Sequence, residues 1–291
     1  MKFAAALLAL LLAGAAAAAP ADKPVKLPDG RKLNLWCEGK SGPAVILDSG
    51  WSADSRAWGR VIAGLKDDFR VCAQDRAGSG LSDAGPLPRD GEAVARDLHA
   101  ALEKSRLKGP YILVGHSLGG LNVRHFARLW PEQVAAMVLV DPSLPYNGPA
   151  ADIPPATMAR TCLAVARAGP SAEGEPQPAR CRTSKPELAA VRWEARLSEI
   201  ESFQTTTSSG LSQQQPGSLT MPLILLAAGK DAQAAPRFEA QKQQAMISTR
   251  GSAELVPDSG HMMMFDRPDA IIAAIRTVAD EARTPPPSKG E

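Results

Sequence analysis

The chain has 291 residues, 44% of them hydrophobic and 22% charged, which suits one large α/β domain and excludes a globally disordered chain. Its formal net charge of +2 is near neutral and no long basic run occurs, so nucleic acid is not an expected partner. No Cys, His and Asp cluster stands at metal-ligand spacing, and neither a metal nor an organic cofactor is expected.

Residues 1–21 read as a cleavable signal peptide: Lys2 precedes an apolar stretch, followed by small alanines that suit a signal peptidase. The leucine-rich part is short for a membrane span, so no stable span is expected after cleavage, and the mature chain is expected to be secreted or periplasmic. Four cysteines, Cys37, Cys72, Cys162 and Cys181, then become disulfide candidates, with three pairings open. Cys162 and Cys181 flank a Gly- and Pro-rich stretch, where a bridge would contribute about 3 kcal/mol in the chain-entropy model. Cys37 and Cys72 lie in strand-like runs and can pair only if those strands are neighbours; buried free thiols are the alternative.

Residues 22–142 are expected to form the first part of the core. "KPVKLPDGRKLNLWCEG" reads as a strand, a Pro-Asp-Gly turn and a second strand. "AVILDS" is a short apolar run fit for a strand buried on both faces. Trp58, Ile62 and Leu65 then recur at helical spacing, "FRVCAQD" returns to strand, and Val94, Leu98 and Leu102 share one face of a helix. "YILVGH", "LNVRHFARLW" and "VAAMVLVD" read as strand, helix and strand. Residues 143–218 break this pattern: Pro-, Gln- and Ser-rich, with two helical stretches, they read as a cap or lid inserted into the core. In that segment the Trp193, Ile200 and Phe203 stripe reads as packing. Alternation resumes over 219–283 with "MPLILLAAG", "SAELVP" and a last amphipathic helix, and 284–291 read as a disordered tail. Strands alternating with helices imply an α/β fold with a mostly parallel sheet and helices on both faces.

Chemistry concentrates in "VGHSLGG". G-x-S-x-G between a strand and a helix is a nucleophile elbow, a strained turn that exposes Ser117 Oγ at the top of the sheet. Side chains two positions either side would collide there, which requires Gly115 and Gly119. The turn also aims the Leu118 N–H, at the helix start, toward a developing oxyanion.

With that elbow, the chain resembles the α/β-hydrolase fold superfamily in its serine esterase and lipase-like branch. Matching stretches run through the core: "LDSGW" after the third strand, "QDRAGSGLSD" after the fourth, "LVDPS", "LAAGKD" and "PDSGHMMMF". The resemblance implies an eight-stranded sheet and an enzyme that cleaves carboxylic esters through an acyl-enzyme, with a small-molecule ester-like substrate. Ser117 is the implied nucleophile and His261 its base; of the other histidines, His116 lies inside the elbow and His99 and His125 lie in helices. Asp231 matches the family's usual acid position and is favoured to orient His261, because its loop neighbours the His261 loop; Asp141, also at a strand end, is the alternative acid. Trp51 is the implied second oxyanion donor through its backbone N–H, its indole walling the acyl side. Asp75, Arg76 and Ser82 belong to a loop expected to brace the elbow. "HMMMFD" reads either as a pocket lip or as a seat for the His261 loop. Amide, peptide, lactone or thioester hydrolysis, or acyl transfer, on the same residues is the alternative chemistry, and a non-catalytic binding protein on this scaffold the alternative class. Nothing in the sequence specifies an oligomeric state.

Overall fold

A computed structural model describes residues 24–39, 42–146, 148–149, 153–169, 178–183, 185–230 and 233–284. The expected signal peptide and residues 285–291 of the expected tail lie outside the described residues.

Seven strands make the main sheet: β3 (Leu35–Glu38), β4 (Ala44–Asp48), β5 (Arg70–Gln74), β6 (Tyr111–His116), β7 (Val134–Val140), β8 (Leu219–Ala228) and β9 (Ser248–Val256). Their order is β3-β5-β4-β6-β7-β8-β9, and all neighbours run parallel except β3 against β5. Among the described residues no eighth strand joins. The turn at Pro28–Gly30 instead folds β1 (Val25–Lys26) onto β2 (Lys32–Leu33) as a separate hairpin, leaving only β3 to reach the sheet edge.

Helices lie on both faces because successive strand residues point to opposite sides and both sides are apolar. Leu113 faces a cluster with Leu98 and Leu102 of α2 (Gly91–Ser105) and Phe126 of α3 (Leu118–Leu129). Its neighbours Ile112 and Val114 face the other cluster. There they meet Ile62 and Leu65 of α1 (Gly59–Leu65) and Ile271, Ile275 and Val278 of α9 (Pro268–Arg283). The α2 helix shows how sequence sets its limits: Asp90 caps its start by accepting from Ala93 N–H at 2.8 Å, and Arg106 ends it in the left-handed region at φ 62°. Truncating a fully buried side chain such as Leu98 or Ile275 to alanine should cost about 2–5 kcal/mol.

The connection from β7 to β8 carries α4 (Pro154–Ala168), α5 (Ala189–Ser202) and α6 (Ser208–Ser212). At the α4–α5 contact the Cys162–Cys181 disulfide packs with Ala159, Leu163 and the buried Trp193. A second disulfide joins Cys37 to Cys72, which are directly opposed on the antiparallel β3 and β5. The remaining helices, α7 (Ala234–Lys242) and the short α8 (Met263–Asp266), frame the final strand.

Candidate active site

Ser117 sits between β6 and α3 at φ 52° and ψ −120°, a left-handed conformation that costs a non-glycine residue about 1–3 kcal/mol. The surrounding backbone holds it there. Ser117 N–H donates to Val140 O at 3.1 Å, and Ser117 O accepts from Gly120 N–H at 3.0 Å and Ser143 N–H at 3.1 Å. A Cβ on Gly115 would come within 2.4 Å of Gly119 O, and one on Gly119 within 2.4 Å of Asp48 O. Gly115 is therefore required by the turn itself, and Gly119 by the close approach of the β4 end beneath it.

His261 follows β9 at the sheet edge, yet its imidazole reaches back to the end of β6. Its Nε2 lies 3.1 Å from Ser117 Oγ and its Nδ1 2.6 Å from Asp141 Oδ2. A carboxylate beside Nδ1 fixes the proton on that nitrogen and leaves the Nε2 lone pair to accept from the serine hydroxyl.

The favoured acid, Asp231, lies outside the described residues. Among the described residues the carboxylate on His261 Nδ1 is Asp141, the alternative acid. The imidazole arriving from β9 meets Ser117 across the ends of β8 and β7, and Asp141 stands at the end of β7. There Asp141 turns at φ 37°, with its N–H donating to Leu226 O at 2.6 Å. Its Oδ1 accepts from Ala228 N–H and Gln241 Nε2, each at 3.1 Å. Burial alone would raise the Asp141 carboxyl, but bonds from His261, Ala228 and Gln241 hold it below the usual carboxylate range.

His116 does not approach Ser117 Oγ by hydrogen bond; its Nε2–H donates to His261 O at 2.7 Å and pins the arch. Burial first, and the neighbouring His261 ring second, push the His116 imidazole down to about 4, so it stays neutral. His125 Nε2–H donates to Thr207 O at 2.8 Å, and His99 stacks on Trp130 at 3.9 Å, both in packing roles.

A cavity of about 380 Å³ opens over Ser117 and His261, walled mainly by Trp51, Leu118, Ile153, Ile200, Phe203 and Met262. Trp51 lines the cavity, and its indole N–H donates to Arg196 O at 2.8 Å. Of the three methionines, Met263 and Met264 are buried beneath the His261 loop while Met262 faces the cavity, so both readings of that stretch apply. The stripe along α5 and just past its end divides likewise: Trp193 is buried packing, but Ile200 and Phe203 line the cavity. Ile153 and Pro155 also line it and carry no motif that would have marked them, while Ser143, which also lines it, ends the "LVDPS" stretch without being singled out there. Ser143 Oγ lies 3.4 Å from Ser117 Oγ. Among the described residues no group of three or more His, Cys, Asp or Glu could hold a metal, and no helix is long and apolar enough to cross a membrane.

With this geometry in hand, comparison with known proteins is specific. A family model described as the alpha/beta hydrolase family matches residues 45–274. The chain is 28% identical over 248 residues to N-formylmaleamate deformylase of Pseudomonas putida, covering 83% of this chain and 90% of that protein. It is 37% identical over 118 residues to Lipase LipV of Mycobacterium tuberculosis, covering 40% of this chain and 44% of the lipase. The match spans less than half the length of the first curated relatives. Among solved structures, a thermophilic esterase from Thermogutta terrifontis superposes with a TM-score of 0.69 at 24% identity, over 90% of this chain and 99% of that one. At that identity the likeness speaks for the fold.

Proposed function

Because the chain belongs to the alpha/beta hydrolase family, we propose that it is an exported serine hydrolase that cleaves small carboxylic esters through an acyl-enzyme. The carrying observation is the unbroken line from Asp141 Oδ2 through His261 to Ser117 Oγ, at 2.6 and 3.1 Å. In this reading Ser117 Oγ attacks the ester carbon while its proton passes to His261 Nε2, and Asp141 stabilises the imidazolium. The N–H groups of Leu118 and Trp51 receive the oxyanion. His261 returns the proton to the departing alkoxide, and the alcohol leaves. Water then gives a proton to His261 Nε2 and a hydroxyl to the acyl carbon; the acyl–Oγ bond breaks, Ser117 Oγ takes that proton back from His261, and the acid leaves. The His261 side chain is 55% exposed, which lets that water arrive from solvent.

The helices of segment 143–218 act as a cap in this reading, since Ile153, Ile200 and Phe203 wall the acyl cavity. Export is supported by the leader-like sequence of residues 1–21 and is compatible with the two disulfides. A second reading, amide cleavage by the same residues, is favoured by the likeness to a deformylase over nine-tenths of that protein. A fluorophosphonate probe should label the wild type and not Ser117→Ala, and turnover should vanish with the label. Graded p-nitrophenyl esters run beside formamides then separate ester from amide cleavage; labelling that survives Ser117→Ala would sink both.

A further inference from the structure

Arg76 lies in the loop after β5, 4% exposed, and all five of its N–H groups are engaged. Nη1 donates to Asp48 Oδ1 at 2.8 Å and Ser49 O at 2.6 Å, while Nη2 donates to Gly50 O at 3.0 Å and Glu199 Oε2 at 3.1 Å. Nε completes a fork on Glu199 with Oε1 at 2.7 Å. Glu199 is on α5, between β7 and β8, and is itself 5% exposed. Burial alone would lower the guanidinium, but Glu199 and Asp48 hold it above its ordinary value and fully charged. Asp48 is held in turn by Asn122 of the elbow helix α3, at 3.0 Å.

The bond to Gly50 O reaches the chemistry. The 50–51 peptide is trans and planar, so fixing its oxygen toward Arg76 fixes the Trp51 N–H in the opposite direction. Gly50 and Trp51 line the same cavity as Ser117, and a Cβ on Gly50 would come within 3.1 Å of Ser117 Cβ. A buried cation on a peptide oxygen also polarises the amide and strengthens its N–H as a donor. Arg76 can do this only while its plane is held, and two of its five bonds come from Glu199.

We propose that Glu199 is a positioning residue of the oxyanion hole: acting through Arg76 it sets the Gly50–Trp51 peptide, and so makes turnover depend on how α5 is docked. The inference rests on the serine-hydrolase reading above, with the Trp51 N–H as one oxyanion donor. Glu199→Gln keeps the shape but sets an amide donor against the guanidinium.

Losing an oxyanion donor outright costs about 100- to 1,000-fold in kcat, and a misdirected donor should cost about 10- to 100-fold. We expect that loss in kcat for Glu199→Gln on p-nitrophenyl butyrate, per site labelled by fluorophosphonate, with KM changed less than about threefold. Affinity for a trifluoromethyl ketone, to which Ser117 adds to give a hemiketal oxyanion, should fall by the same factor as kcat/KM. A merely structural role would reduce labelled sites without changing turnover per site. Glu201→Gln, altering an exposed neighbour on the same helix, should keep wild-type kcat. If Glu199→Gln does not fold, Arg76→Lys, which keeps the charge and loses the fork, carries the same comparison. Unchanged kcat per labelled site, or a kcat loss without a matching loss of ketone affinity, overturns the inference. Turnover surviving in Ser117→Ala would instead overturn the serine-hydrolase reading.

Discussion

The sheet and the helices inserted between β7 and β8 are stabilised in different ways. The sheet is held by two continuous apolar layers, in which Leu113, Val114 and their neighbours alternate between faces. The inserted helices have a small cluster around Cys162–Cys181 and Trp193, and they meet the core partly through individual polar contacts. Arg76 with Glu199, the Trp51 indole on Arg196 O, and Arg192 on Gly80 O each join α5 to a loop at the strand ends. In the proposed reading Ser117, His261 and Asp141 therefore stand at the strand ends of the sheet, while Ile153, Ile200 and Phe203 of the cavity wall belong to the inserted segment. Selectivity can change there without disturbing the sheet that positions the chemistry.

The largest test of this division is at Asp141. If the sheet end alone carries the triad, Asp141→Asn should lower kcat by about 10⁴-fold, because an amide at Nδ1 favours the wrong imidazole tautomer. Asp231→Asn should leave kcat within about twofold if Asp141 alone orients His261. Steady-state kinetics on one ester, normalised by active-site labelling, decides it. A larger loss at Asp231 would return the acid to the loop after β8.

This case also shows what the sequence makes legible. Ser117 and Gly115 are set by one local turn whose sterics can be read from seven consecutive residues, whereas Gly119 is required by the close approach of Asp48 and Ser49 at the end of β4. The apolar runs and helical spacings likewise locate the core strands and helices. The choice between Asp141 and Asp231 depends on the path of the His261 loop across two intervening strands, a long-range fact without a local signature. The same holds for Glu199, which pairs with Arg76 across 123 positions of sequence. The leading hairpin was missed as a separate element because a turn signal says that the chain reverses, not which sheet it joins.

Acid should distinguish the regions next, because His116 in the elbow is neutral with its imidazole lowered to about 4 from an ordinary 6.5. The unfolded chain binds that proton between those values and the native chain does not, so His116 lowers stability as pH falls from 6.5 to 4 and adds no further loss below. The full effect is on the order of 3 kcal/mol. His125, also lowered by burial, adds in the same direction. Asp141 acts lower: its depressed carboxyl stabilises the fold above its unfolded value and loses that contribution as pH falls through the native one. Guanidinium midpoints should therefore drop between pH 6.5 and 4. His116→Gln should flatten the slope whatever its effect at neutral pH; an unchanged slope rules out His116 as its source.

In the inserted segment, the replacement of Cys162 and Cys181 by serine opens a 19-residue separation and should cost up to about 3 kcal/mol in the chain-entropy model. Because that bridge lies within the α4–α5 unit, amide exchange should accelerate first in those helices and least in β6 and β7. Equal acceleration in both would mean that the insertion and the sheet unfold as one unit.

The smallest effect is expected where α4 and α5 share charges at the surface. Arg160 meets Glu201 at 2.9 Å and Arg167 meets Glu194 at 2.6 Å, with every partner more than two-fifths exposed. Water screens such pairs and ordering two long side chains opposes them, so Arg167→Ala should change stability by less than about 1 kcal/mol. The contrast with Glu199 is then one of environment. Both carboxylates sit on α5 and both meet an arginine at 2.6–2.7 Å, but only Glu199 faces a buried guanidinium. A double-mutant cycle on Arg167 and Glu194 should give a coupling near zero at 0.5 M salt. A coupling above about 1 kcal/mol would show that the α4–α5 unit is held by its surface charges, and not by the disulfide and Trp193 at its centre.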